Sequence, residues 1–149
     1  MSKSDLAKKV VETMLSRDEF SRWLGIKLLE VSPGRARVSM TVRQEMLNGF
    51  FVCHGGIAFS LADSAFAFAS NTHGRVAVSI ESGMAYPAPI REGDEIIAEA
   101  VEQSLRENIG VYEVHVRKTD STLVGVFRGT VYRTKKEIFE KTNETSLPN

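Results

Sequence analysis

The chain has 149 residues, 42% of them hydrophobic and 26% charged, and its 19 Lys and Arg balance 19 Asp and Glu for a formal net charge of zero. That length suits one domain with a sizeable core, and the charge balance gives no support for non-specific binding to nucleic acid or an anionic membrane. The single cysteine, Cys53, excludes an internal disulfide; with a charged N-terminus that lacks a signal-peptide core, and no run of the ~20 apolar residues that span a bilayer, a cytoplasmic protein is expected.

Ser4 and Asp5 are candidate N-cap residues, and Leu6, Val10, Val11, Met14 and Leu15 recur after them at helical spacing. The pattern predicts an N-terminal helix within residues 1–24, running to about Trp23 and stopped by Gly25. From Gly34 to Arg43 the chain alternates, with Ala36, Val38, Met40 and Val42 on one side. This is the pattern of a half-exposed strand, and Ser32-Pro33-Gly34 provides a turn that pairs it with Ile26 to Val31.

The segment CHGGIAFSLADSAFAFAS, residues 53–70, opens on a Gly-Gly step, and between Ile57 and Ala69 it carries ten apolar side chains. They fall all round a helical wheel, so the helix should be covered on nearly every side. Val76 to Ala85, Asp94 to Arg106, Gly110 to Lys118 and Thr122 to Arg133 are dense in Val, Ile and Tyr, separated by turn signals, and read as an antiparallel set. Gly125 and Gly129 fall on one face of the last strand and would admit a close helix or a bend. The tail, residues 135–149, is polar and expected to fray. One apolar helix among enough strands to wrap it suggests a single α+β domain, residues 1–149, with a curved sheet around a central helix; a flat sheet is the alternative.

Within that helix only Asp63 is charged. Burying an unpartnered carboxylate costs several kcal/mol, so Asp63 is either a structural residue bonded to backbone or Arg, or a group turned into a cleft. In the second case desolvation raises its pKa and makes it a better base near neutral pH. Gly55 and Gly56 lie where the helix begins, where N–H groups lack intrahelical acceptors and the dipole favours negative charge. They form either a flexible helix entry or a donor site for a developing oxyanion. Gly55 and Asp63 are eight residues apart, about 12 Å along a helix, too far for one carbonyl carbon to touch both. If they act together, Asp63 must come from a second copy of the helix, which makes the protein a two-fold dimer with two equivalent sites.

His54 suits a base, a substrate donor or a structural loop residue, and Asn48 suits a turn or an amide that orients water or a carbonyl. Cys53 beside His54 is no nucleophile dyad, because sequence neighbours need not face one another. Ser60 and Ser64 lack a nucleophile-elbow context, and His54, His73 and His115 lack metal-ligand spacing. Neither a metal nor another cofactor is expected. Phe50, Phe51, Phe59, Phe66 and Phe68 suit either an aromatic pocket or core packing.

The run MLNGFFVCHGGIAFSLADSAFAFASN, with Asn48, His54-Gly55-Gly56 and Asp63 eight residues past the first Gly, resembles the signature of hotdog-fold acyl-CoA thioesterases of the phenylacetic-acid-degradation (PaaI) type. The terminal VGVFRGTVYR extends the likeness to residues 20–133. It implies a hotdog fold, subunits that join their sheets, and dimers that pair into tetramers. It further implies Asp63 as base or nucleophile, the Gly55 N–H at the thioester oxygen, and Asn48, His54 and Gly56 around the substrate. One departure stands out: many relatives carry Arg where Tyr86-Pro87-Ala88-Pro89 has Ala88. For the coenzyme A phosphates, Arg75, Arg91, Arg106, Arg128 and Arg133 are candidate cations, each more often a solvated surface charge. Two competing functions are a non-catalytic acyl-binding hotdog module and an enoyl-CoA hydratase or dehydratase.

Overall fold

The computed structural model describes residues 1–139. Helix α1, Lys3–Arg17, is capped two residues before Ser4: Ser2 accepts from the Asp5 N–H at 3.0 Å, and the Asp5 carboxylate accepts from the Ser2 N–H at 3.1 Å. The expected single N-terminal helix is two. Asp18 adopts an extended conformation (φ −92°, ψ 90°), ends α1, and caps a second helix α2, Glu19–Leu24. Its carboxylate satisfies the first-turn N–H of Ser21 at 2.9 Å, a trade of one helical bond for a cap. Gly25 then closes α2 in the left-handed region (φ +77°), where glycine, having no Cβ, carries no steric penalty.

Strands β1 (Lys27–Ser32) and β2 (Arg35–Thr41) form the expected hairpin, followed by helix α3, Gly55–Asn71. Then come β3 (Arg75–Ala85), β4 (Glu95–Arg106), β5 (Ile109–Lys118) and β6 (Leu123–Glu137). All six strands join one antiparallel sheet in the order β1-β2-β4-β5-β6-β3. The sheet curves round α3, which packs on β2, β3, β4, β5 and β6, while α1 and α2 close the remaining side. β6 runs through Glu137, which pairs with Arg75 of β3, so residues 135–137 are strand rather than frayed tail; residues 140–149 lie outside the described part.

The core lies between sheet and helix. Phe66 and Phe68 of α3 are 1% exposed, and burial of each ring stabilises the fold by about 1.5–3 kcal/mol. Phe66 meets Tyr112 and Phe127 at centroid distances of 5.7 and 5.4 Å. Gly129 makes that approach feasible: a Cβ there would lie 2.7 Å from Phe66 Cζ. Gly125 serves a different neighbour, since its Cβ would collide with Met84 of β3. Along α3, Gly56 is exposed and Ser60, Asp63 and Ala67 are half-buried. Their 4-3-4 spacing places them along one line of the helix surface.

Candidate active site

The start of α3 is held by residues from two other parts of the chain. The His54 backbone N–H donates to the Met46 carbonyl at 2.8 Å, which fixes His54 as the N-cap, and its Nδ1 accepts the Gly56 N–H at 3.1 Å. From the end of β3, the Tyr86 hydroxyl donates to the Gly55 carbonyl at 2.9 Å. The peptide between Gly55 and Gly56 is therefore anchored at both its oxygen and its nitrogen. The N–H of Gly55, one residue earlier, has no acceptor among the described residues. It points out of the positive end of a 17-residue helix, a fixed donor for a developing negative charge. A Cβ on Gly55 would lie 3.3 Å from Tyr86 Cζ, a close contact that a shift of the ring by a few tenths of an ångström relieves.

Asp63 sits half-buried on the line of α3 that runs from Gly56 through Ser60 to Ala67. Its pKa is raised, first by burial and second by the negative charge of Asp18, and among the described residues neither a cation nor a hydrogen bond opposes them. A carboxylate kept for structural pairing ordinarily has its pKa lowered by a partner; none of the described residues lowers that of Asp63. Within one chain, α3 separates Gly55 from Asp63 by eight residues, about 12 Å.

The Asn48 side chain shapes the loop that precedes α3: its Oδ1 accepts from the N–H of Phe50 at 2.9 Å and of Val52 at 3.4 Å. The amide NH2 is left to donate elsewhere. The loop forces Phe51 to φ +62° and leaves Phe50 and Phe51 86% and 80% exposed. Phe66 and Phe68 are core, and Phe59 packs edge-on against Phe127 at 5.3 Å. Burial pushes the Cys53 thiol up to about 11, which keeps it protonated and a poor nucleophile at neutral pH. The Ser60 hydroxyl donates to the Gly56 carbonyl at 2.7 Å.

His73 and His115 pair with Glu102 and Glu113, at 2.7 and 2.6 Å. Among the described residues no three His, Cys, Asp or Glu side chains converge. Of the five candidate arginines, Arg75 and Arg133 are tied to backbone carbonyls near the β5–β6 end, whereas the exposed Arg91, Arg106 and Arg128 lie at separate places on the surface. Sequence reasoning missed two contributors. Tyr86 is a lone aromatic after a strand, and its contact with Gly55 spans 31 positions. Asp18 had a local signal, an acid followed three residues later by Ser21 in a polar break of the α1 pattern.

A curved antiparallel sheet closed on one long helix, with the Gly55 N–H open at the helix start, is the hotdog fold. The thioesterase superfamily profile matches residues 50–125. The acyl-coenzyme A thioesterase PaaI of Escherichia coli is 38% identical over 120 residues, covering 80% of this chain and 86% of that protein. The structure of the E. coli PaaI protein from the phenylacetic acid degradation operon superposes with a TM-score of 0.89 at 35% identity, over 91% of this chain and 99% of that one. A point variant of the phenylacetic acid degradation protein PaaI from Thermus thermophilus gives 0.76 at 42% identity, over 78% and 100%. The chain belongs to the thioesterase superfamily and is a PaaI-type hotdog thioesterase.

Proposed function

We propose that the protein hydrolyses acyl-CoA thioesters to the free acid and coenzyme A, at sites that each combine Gly55 of one chain with Asp63 of a second. The observation that carries this reading is the pairing on α3 of an uncommitted N–H with a carboxylate whose proton affinity is raised and unopposed. The thioester oxygen accepts from the Gly55 N–H, which takes up negative charge as the carbonyl carbon becomes tetrahedral. Asp63 takes a proton from the attacking water; collapse breaks the C–S bond, and the proton passes to the departing thiolate. In the alternative route Asp63 attacks directly, and water then cleaves the resulting mixed anhydride. Asn48 donates its free amide to substrate or water, and His54 holds the Gly-Gly turn.

Two features support a dimer. The ~12 Å between the two groups prevents one chain from supplying both, and among the described residues β3 pairs only with β6. That leaves a long outer edge, with Val78 45% and Ile80 57% exposed, where a second sheet can add. Dimers then pair as tetramers, in a cytoplasmic enzyme. The kinship with PaaI proteins and the exposed Phe50 and Phe51 favour a ring-bearing acyl group over a medium or long chain. Thiol release from a panel of aryl and fatty acyl-CoAs tests the reading: turnover with an aryl preference is expected. Saturable binding without turnover on any member would instead mark an acyl-binding module.

A further inference from the structure

Where α2 meets α3, two serines are buried face to face. Ser21 is 0% and Ser64 8% exposed, and their hydroxyl oxygens are 2.9 Å apart. Ser21 is also bonded twice to Asp18, from its N–H to Oδ1 at 2.9 Å and from its hydroxyl to Oδ2 at 2.6 Å. An ionised carboxylate only accepts, so the Ser21 proton goes to Asp18 and the Ser21 oxygen accepts from Ser64. The direction Ser64 to Ser21 to Asp18 is thereby fixed. Ser64 adjoins Asp63 in α3, so the chain of bonds ends one residue from the basic carboxylate.

We propose that Asp18 is a positioning residue of the hydrolytic site: a negative charge braced through Ser21 and Ser64 against the turn of α3 that carries Asp63. The inference rests on the reading of Asp63 as the base. Like charge disfavours ionisation of a neighbour, and Asp18 acts on Asp63 in the same direction as burial does, burial being the larger effect. Among the described residues no cation offsets it. Flanking Asp18, Arg22 is turned to Glu19 at 2.9 Å and to the Ser16 carbonyl at 2.7 Å, while Arg17 is exposed. Around α3, Cys53 and Tyr86 stand at its start, and beyond its end His73 and Tyr112 are engaged with Glu102. Asp18 alone among these exerts a charge effect on Asp63. A base whose proton affinity is lifted toward neutrality removes a proton from water more effectively.

Asp18→Asn removes the charge and keeps the shape. Its Oδ1 still accepts from the Ser21 N–H, its NH2 donates to the Ser21 oxygen, and Ser21 turns its proton to Ser64. Asp18→Ser retains a capping oxygen should the amide destabilise α2. The expected result is an acidic limb of kcat/KM at lower pH than in the wild type, so that on the acid side the variant is the faster enzyme. A limb at the wild-type pH, or a uniform loss across the profile, overturns the proposal. Carboxyl NMR titration of Asp63 separates this inference from the thioesterase reading. A midpoint lowered by Asp18→Asn supports the role of Asp18 even in a protein that releases no thiol, whereas an unmoved midpoint refutes it even in an active one.

Discussion

The Tyr86 hydroxyl donates to the Gly55 carbonyl at 2.9 Å, so the end of β3 locks the first peptide of α3. The partner of that lock is His54 on the adjoining Gly56 N–H. Both fix the orientation of the backbone from which the Gly55 N–H projects, and preorganised donors stabilise a transition state without reorganising during the reaction. Tyr86→Phe removes one hydrogen bond at a site where the ring is 49% exposed. A fall in kcat of roughly 2- to 10-fold is expected, the kinetic equivalent of about 0.5–1.5 kcal/mol, with KM and the thermal midpoint little changed. Steady-state kinetics with a melting curve check this, and an unaltered kcat would show that the lock has no part in turnover.

The raised pKa of Asp63 has a cost in stability. Where the folded pKa lies above the ordinary 3.8, the native state binds more protons than the unfolded state between the two values, and stability falls as pH rises through that window. The favourable contribution is full below the unfolded value and lost above the folded one. Asp63→Asn removes the buried charge, so at pH 7 the variant is expected to be more stable than the wild type and inactive. The gap should close as pH falls toward the ordinary carboxylate range. Urea unfolding of both proteins across pH 4–8 reads the effect directly; a wild type at least as stable as the variant at pH 7 would contradict the unopposed carboxylate.

Gly129 is a packing position with no role in the chemistry. A methyl group there would stand 2.7 Å from Phe66 Cζ and 3.0 Å from Phe127 Cε1, inside a cluster with Tyr112 that leaves the rings no room to swing. Gly129→Ala is expected to destabilise the fold by about 1–3 kcal/mol while the kcat of folded protein stays near the wild-type value. A denaturant midpoint indistinguishable from wild type would mean that α3 stands further from β6 than described.

The fold was legible because its signals are local. Strict alternation set β2, the apolar wheel from Ile57 to Ala69 set α3, and turn residues separated the strands. The helix break at Asp18 was not, since Phe20, Trp23 and Leu24 resume the apolar spacing beyond the polar run of residues 16–19, and capping by Asp18 decides against one continuous helix. The extension of β6 past Thr134 was hidden as well, because polar residues hold a strand when a long neighbour such as β3 offers pairing. In the site, helix spacing alone predicted that Gly55 and Asp63 are too far apart to act in one chain. What it could not supply were contacts across the fold: Tyr86 to Gly55 spans 31 positions and Ser21 to Ser64 spans 43.

A site divided between two chains is tested most directly by subunit mixing. Gly55→Pro deletes the N–H in question, proline being well placed at the first helical position, and the His54 backbone (φ −59°, ψ 133°) is one that a following proline permits. Asp63→Asn removes the base. Each variant alone should release no thiol from acyl-CoA. In a mixed dimer one site inherits both substitutions and the other neither, so random mixing should restore roughly a quarter of wild-type turnover. Mixtures that stay inactive, although mass measurement shows the two chains paired, would place both groups of each site in a single chain and contradict the shared site.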